Sequence, residues 1–446
     1  MNRNTFNPFR RLHFYAAWFI TPLLLTLTLS GIGFLFYPEV ENMMYEHEFF
    51  GQSDAGDMQN MGAAIEEIKE TYNGYSVSKI SMMEEPYNNR VTISNDQGES
   101  QYVFLDENNQ IVSTLDSKST YSNFMRTFHS SLLTEHTFVR YLVELTACWA
   151  IFLIVSGTYM TFKKKLLQNR SSKLRFQKIH AVLGLVLAIP LIIIVVTGIP
   201  WSVFTGSKIA QFAADHPDWG RTELRYNPPQ SDVDEIPWAT RSMDQPASEH
   251  KGHAGHHSDQ GASDKIEGQK SIEEIFTAAG ENNISRPFSI VFPADERGVF
   301  TVSKGSNTGV TGLDVDPYEE TTAYFDQYSG DMIAQIDFED YGIIGKWFTW
   351  GIPLHEGHLF GVANKILNLL VCIAFLSAIT MGFMSWMKRM KSGEAKGPKR
   401  INKPWSIGVV VALVALGMIM PLFGLSVLVI FIVETVIYFV KKRKEA

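Results

Sequence analysis

Apolar runs at about 14–36, 138–160, 181–203, 359–386 and 407–440 punctuate an otherwise polar chain. Each meets or exceeds the roughly 20 residues that cross the hydrocarbon core of a bilayer. Backbone groups in lipid must find partners within their own segment, so these runs predict helices. The last is broken by Pro421, Phe423 and Gly424, which suits a tight hairpin of two short helices, 407–420 and 422–440, with a single kinked helix as the alternative. The pattern predicts an α-helical integral membrane bundle: four long transmembrane helices plus a C-terminal transmembrane hairpin. Two extracytoplasmic α+β modules are looped out between the helices.

Charge gives this pattern a direction. The stretches 1–13, 163–178, 387–404 and 441–446 hold 3, 7, 7 and 4 Lys or Arg, more than half of the chain's 39, against only Glu394 and Glu445. Segment 38–128 carries 16 Asp or Glu against Lys69, Lys79, Arg90, Lys118 and Arg126. The excess of cations marks cytoplasmic loops, so both termini are expected inside the cytoplasmic membrane of a bacterium and the acidic loops outside. The first apolar run is too long for a cleaved leader and lacks a small-x-small site before Tyr37-Pro38, so it reads as a signal anchor. Bulk composition, at 446 residues, 45% hydrophobic and net charge −8, hides this partition. Cys148 and Cys372 lie inside apolar runs and read as small core residues.

A duplication organises the chain. His13 precedes Gly31 of Leu-Ser-Gly-Ile by 18 residues, and His180 precedes Gly198 of Val-Thr-Gly-Ile by 18. His129 lies 28 residues before Gly157, and His355 lies 27 before Gly382. The loops repeat as well. Helices opening at Ala64-Ile65-Glu66-Glu67-Ile68 and Ser271-Ile272-Glu273-Glu274-Ile275 are followed by alternating strands at 90–94 and 101–105, and at 298–303 and 321–325. Each last strand turns over a polar tip into one more short apolar strand. The expected segments are 1–37 for the first helix, 38–128 for the first module, 129–165 for the second helix, and 166–203 for a cytoplasmic loop and third helix. Then come 204–345 for the second module, 346–390 for the fourth helix, 391–406 for a linker, 407–440 for the hairpin and 441–446 for a basic tail. The second module carries an insertion at 228–269 too polar to pack a core, which reads as a linker.

Four histidines occupy repeat-related positions. With alternating helix direction, His13 and His180 fall at the cytoplasmic ends of helices one and three, and His129 and His355 on the outer approaches to helices two and four. Two imidazoles from neighbouring helices can supply both axial bonds of a haem iron, so the pairs His13–His180 and His129–His355 predict two haem b groups, one near each face. Arg10, Arg11 and Lys178 flank the inner pair and Arg126 the outer one, as candidate propionate partners. The eighteen residues from His13 to Gly31 cover roughly 27 Å of helix. His136 and His358 compete for the outer role, and the repeat alignment favours His129 and His355. His250, His253, His256 and His257 are a separate possible loop site for a transition metal, with a solvated polar tract as the equal alternative. There is no Rossmann fingerprint, P-loop or flavin motif, so electrons must come from a separate donor. No nucleic-acid partner is expected.

These residues resemble the PepSY-associated transmembrane family, over almost the whole chain. The likeness rests on Arg11-Leu12-His13 with Ser30-Gly31 and on Phe128-His129-Ser130-Ser131-Leu132 with Ser156-Gly157. It rests equally on Lys178-Ile179-His180-Ala181-Val182-Leu183-Gly184 with Thr197-Gly198, on Leu354-His355-Glu356-Gly357-His358-Leu359-Phe360-Gly361, and on Pro421-Leu422-Phe423-Gly424. Members of that family include inner-membrane dihaem reductases acting on ferric siderophores. The resemblance therefore implies PepSY-like modules, haem ligation by the four histidines, and reduction of an external ferric chelate or siderophore for iron acquisition. Two departures stand out: Tyr15-Ala16-Ala17 replaces the glycine that usually follows the first histidine, and the His-rich insertion lies outside the family pattern. The alternatives are a non-enzymatic PepSY membrane protein binding a peptidase or cell-wall partner, and a metal-uptake component without redox chemistry.

Overall fold

The computed structural model of the protein describes residues 3–54, 57–134, 136–163, 166–168, 175–216, 219, 268–293, 298–306, 309–391 and 407–445. In chain order the helices are α1 (Arg3–Phe34), α2 (Tyr37–Met44), α3 (Glu46–Phe50), α4 (Met61–Thr71), α5 (Tyr121–Ser131), α6 (Thr137–Lys163) and α7 (Arg175–Val186). They continue with α8 (Ala188–Gly198), α9 (Thr205–Asp215), α10 (Ile272–Glu281), α11 (Ile343–Glu356), α12 (Gly361–Lys391), α13 (Ile407–Ile419) and α14 (Pro421–Glu445). The chain divides into a helical unit (Met1–Leu35, Thr127–Ile209, Leu354–Ala446) and a sheet unit (Phe36–Arg126, Ala210–Pro353), with the divisions inside α5 and α11.

In the helical unit, Phe9–Phe34, Thr137–Lys163 and Gly361–Met390 are long and apolar enough to cross a membrane. The third expected helix is broken: Arg175–Val186 and Ala188–Trp201 meet at 55°, and counting this pair as one span gives four. Pro190 stands in the first turn of α8 and has no N–H for the Val186 carbonyl, so the ladder fails at Leu187. α1 packs on α6 and α12, and α7 packs on α12. α13 and α14 are separated by Met420, and their backbones meet at Gly417 and Gly424, where an added Cβ would lie 3.0 Å from the opposing Cα. Fully buried Phe423 places its ring 4.7 Å from Trp149 and 5.6 Å from Phe152, which ties α14 to α6.

The second and fourth spans begin at Thr137 and Gly361, beside the starts of their apolar runs and after the 129 and 346 at which their segments open. Left-handed Leu132 (φ 53) and Leu133 (φ 59) end α5 before α6 starts. Their N–H groups return to the carbonyls of Phe128 and Thr127, the pattern that closes a helix C-terminus. The second half makes the equivalent break with Gly357 (φ 91) and Gly361 (φ 57). His129 and His355 therefore sit on short helices of their own, upstream of α6 and α12.

Among the described residues the sheet unit holds eight antiparallel strands: β1 (Ser76–Met82), β2 (Asn89–Ser94), β3 (Ser100–Leu105), β4 (Ile111–Asp116), β5 (Phe288–Val291), β6 (Val299–Lys304), β7 (Thr321–Asp326) and β8 (Met332–Asp337). Their order is β4-β3-β2-β1-β5-β6-β7-β8, so the two expected modules are not separate sheets but halves of one, joined where β1 pairs with β5. α4 and α10 cover one face through a continuous core that includes Ile65, Ile68, Ile80, Val91, Ile275, Ile290 and Val302. α10 opens with a capping box, in which the Glu274 backbone N–H donates to Ser271 Oγ at 3.3 Å and the Ser271 backbone N–H donates to Glu274 Oε2 at 2.9 Å. Sequence alternation does not single out β1 and β5, because their second face is buried too. Most of insertion 228–269, with its four histidines, lies outside the described residues.

Candidate functional site: two histidine pairs

All four repeat-related histidines belong to the helical unit, and they come together in two pairs. The rings of His13 and His180 are 6.4 Å apart, centre to centre, with planes at 82°. Those of His129 and His355 are 6.1 Å apart at 69°. The helix-turn breaks described above bring the second pair within reach, since α5 and α11 end at these residues rather than running on as spans.

Each imidazole is seated on a glycine of another helix. His13 lies against Gly157, His129 against Gly31, His180 against Gly382 and His355 against Gly198. A Cβ at these glycines would come within 3.2, 3.7, 3.1 and 2.8 Å of the nearest ring atom, respectively. The small-residue positions that mark the repeat in the sequence are thus the floors of the histidine seats. At Gly157, Gly382 and Gly198 close approach of the ring to the helix backbone is the physical reason that a side chain is absent, while a Cβ at Gly31 would make ordinary contact.

The seats also fix the tautomers. His180 Nδ1 donates to the Ala378 carbonyl at 2.8 Å, and His355 Nδ1 to the Ile194 carbonyl at 2.8 Å. A carbonyl only accepts, so both rings carry their proton on Nδ1. His13 Nδ1 meets Ser156 Oγ at 2.8 Å, and His129 Nδ1 meets Ser30 Oγ at 3.0 Å. Each of these hydroxyls already donates to its own helix, Ser156 to the Leu153 carbonyl and Ser30 to the Thr26 carbonyl. With its proton on that carbonyl, each hydroxyl accepts from the histidine Nδ1–H, the same orientation as in the other two rings. All four rings are held by Nδ1–H, which leaves the Nε2 lone pair of each one for another purpose. That is how a metal-binding imidazole is oriented, with its second nitrogen donating to a carbonyl or hydroxyl.

The spacing suits one metal ion between two rings. With about 2.0 Å for a metal–imidazole bond and about 1.1 Å from nitrogen to ring centre, an in-line arrangement separates the centres by about 6.2 Å. Among the described residues, no group of three or more His, Cys, Asp or Glu side chains could hold a metal. Each pair offers two protein donors, short of the three or four that a zinc site takes and equal to the two axial positions of a haem.

Other residues singled out in the sequence are placed differently. Arg11 forms an ion pair with Glu434 of α14, Nη2 to Oε1 at 3.0 Å. Arg126, in the sheet unit, donates from Nη2 to the Gly309 carbonyl at 3.0 Å. Arg10 and Lys178 are half-buried. His136 is exposed, and His358 Nε2 is bonded to Glu356 Oε2 at 3.1 Å, so neither joins the outer pair. Sequence reading missed the backbone acceptors Ala378 and Ile194, each four residues before the glycine on which its histidine rests. The same glycines signal them, since a close-packed ring can also reach a carbonyl one turn back.

A protein-family model described as PepSY-associated TM region matches residues 10–389. No curated protein matches the chain.

Proposed function

We propose that this chain, which belongs to the PepSY-associated TM region family, is a dihaem membrane reductase that carries electrons across a bacterial cytoplasmic membrane to an external ferric chelate or siderophore. The observation that carries the reading is the pair of histidine pairs, each with its Nδ1 protons committed to the fold and its ring centres 6.4 or 6.1 Å apart. Haem bound by such a pair supplies reversible one-electron chemistry. His13 and His180 are the ligands assigned to one haem, and His129 and His355 to the other. Ser156, Ser30 and the carbonyls of Ala378 and Ile194 keep the rings from turning.

The two sites are strung along α1. His13 belongs to the first, and Ser30, which holds His129, lies 17 residues further on. That length of helix spans about 26 Å, most of a hydrocarbon core. The cation-rich segments assign the His13 end to the cytoplasm, with the C-terminal hairpin returning the tail to the same side. A separate cytoplasmic or membrane donor delivers the electrons. Reduction of the external chelate releases iron because oxygen donors hold Fe(II) less tightly than Fe(III).

The test is haem per chain and the reduced-minus-oxidised optical spectrum of protein purified from haem-replete cells. Wild type is expected to show two low-spin b-type haems. His13→Ala and His180→Ala should each lose the same half of the signal, and His129→Ala and His355→Ala the other half. Outer-pair variants should lose reduction of a bulky external ferric chelate, while their inner haem can still be reduced by a cytoplasmic-side donor. Wild-type protein that binds no haem would replace this reading with that of a non-enzymatic membrane binding protein.

A further inference from the structure

The sheet unit buries both faces of its sheet, and the two faces differ. Beneath α4 and α10 the face is apolar. On the opposite face the strand register aligns Arg90 of β2, Ser81 of β1, Ser289 of β5, Ser303 of β6 and Thr322 of β7 in one row. None of these five is more than 3% exposed. A second row on this face runs from Tyr102 through Thr92 to Lys79. Polar groups taken this far from water need partners, and part of the row has them: Ser81 and Ser289 share a hydrogen bond of 3.1 Å.

The β2 end does not. Arg90 is 3% exposed, and among its nitrogens Nη2 donates to the Thr311 carbonyl at 3.4 Å while Nε has no partner. Its guanidinium carbon lies 4.7 Å from the Tyr102 ring centre, 5.2 Å from Phe104 and 5.6 Å from Phe49. Among the described residues no carboxylate is ion-paired with it. Glu41 is one residue removed, accepting from the Thr311 hydroxyl on one oxygen and from the Ser122 N–H on the other. Thr92, two residues along β2 on the same face, is fully buried, and its Oγ1 is also without a partner. Tyr102 is the cross-strand neighbour of Thr92 and the ring closest to the guanidinium, so the two unpartnered groups flank one ring. On its other side Thr92 is paired with Lys79, a second cation 3% exposed.

A guanidinium offers five N–H donors, and burying one without an anion is costly. Stacking on three rings offsets part of that cost but leaves the in-plane donors unused. A second unpartnered donor, the Thr92 hydroxyl on the same face of the same strand, completes a donor set with one chemical complement. We propose that this polar face is an internal oxyanion site: a compact carboxylate or phosphate group accepts from Arg90 Nε and from the Thr92 hydroxyl. The unpartnered Ser303 Oγ lies three strands from Thr92, about 14 Å at ordinary strand spacing, and is beyond such a ligand. This site makes no use of the histidine pairs, and its test is independent of theirs.

The experiment follows thermal unfolding of the detergent-purified full chain by tryptophan fluorescence, after long equilibration with inorganic phosphate, acetate, citrate or ionic-strength-matched chloride. A saturable rise in midpoint is expected with phosphate or with the carboxylates, and none with chloride. The phosphate and carboxylate arms tell the two sources apart. Thr92→Val keeps the shape of the side chain and removes an unpaired hydroxyl, so its anion-free midpoint should match or exceed wild type while the anion-induced rise disappears. Arg90→Gln should lose the rise as well, and His13→Ala should keep it. No oxyanion-specific rise in wild type overturns the proposal, as does a Thr92→Val protein that retains the full rise. A lowered anion-free midpoint in Thr92→Val overturns it too, because the hydroxyl would then be serving the fold.

Discussion

Gly198→Ala provides the sharpest test of the histidine seats. The added Cβ would stand 2.8 Å from His355 Cε1, 3.2 Å from Nδ1 and 3.5 Å from Nε2. Carbon atoms in ordinary contact keep about 3.5–4.0 Å, so the ring must retreat by about 0.7 Å or more. The displacement falls on the Nδ1–H bond to the Ile194 carbonyl, now 2.8 Å, and brings it close to the limit of a hydrogen bond. Leaving that N–H unpaired costs about 1–3 kcal/mol, while replacing a helical glycine by alanine returns at most about 1 kcal/mol. Net stability therefore changes little, but the ring no longer holds its position opposite His129. Gly31→Ala is the internal control, because its Cβ would meet His129 Cε1 at an ordinary 3.7 Å. The expected result is loss of about half of the low-spin haem signal in Gly198→Ala with a thermal midpoint near wild type, and a full signal in Gly31→Ala. Gly157→Ala and Gly382→Ala, at 3.2 and 3.1 Å, should fall between them. Equal spectra for the position-198 and position-31 variants, or the reverse order, would refute the seat geometry.

Ser156→Ala and Ser30→Ala each remove the acceptor of an Nδ1–H, and should weaken haem binding at one site by about 10–100-fold in a haemin titration. Phe423→Ala opens a cavity against Trp149 and Phe152, and should destabilise the helical unit by about 3–5 kcal/mol in equilibrium unfolding. The Glu274 carboxyl is held down to about 2 from its ordinary 4.5, by Lys270 first and then by the Ser271 backbone. A depressed carboxylate contributes fully above its ordinary value and is lost as pH falls through the lowered one. Protection of the first turn of α10, by hydrogen exchange corrected for intrinsic rate, should hold from pH 7 to 4.5 and fall only toward 2; an earlier fall would contradict the capping box. A cysteine introduced within 230–260 should react with an impermeant thiol reagent in intact spheroplasts, and labelling only after lysis would reverse the orientation drawn from the basic clusters.

Periodicity and composition carried much of this architecture. Apolar length marked the spans, because lipid leaves a backbone no partner but itself. The duplication marked the histidines and the glycines that face them, because at Gly157, Gly198 and Gly382 the ring lies too close for a larger residue, while Gly31 keeps ordinary contact distance. Ser271-Ile272-Glu273-Glu274-Ile275 marked the opening of α10, and the Ser271–Glu274 box found within it is a contact between residues three apart. Local signals also lay unread. Pro190 predicts the break at Leu187, whereas the left-handed Leu132 and Leu133 do work that glycines perform in the second half, and nothing in a leucine announces that. The joining of the two halves through β1 and β5 depends on pairing between residues about 210 apart, and the polar residues of these strands look solvent-facing until both faces are seen to be buried. The same holds at the site. The sequence by itself determined which side chains stand at equivalent places in a repeat, since spacing along a helix fixes facing and height. Only the tertiary structure decided that Arg11 answers Glu434, that His355 rather than His358 meets His129, and that all four rings carry their proton on Nδ1, because a tautomer is set by whichever acceptor another helix brings within 3 Å.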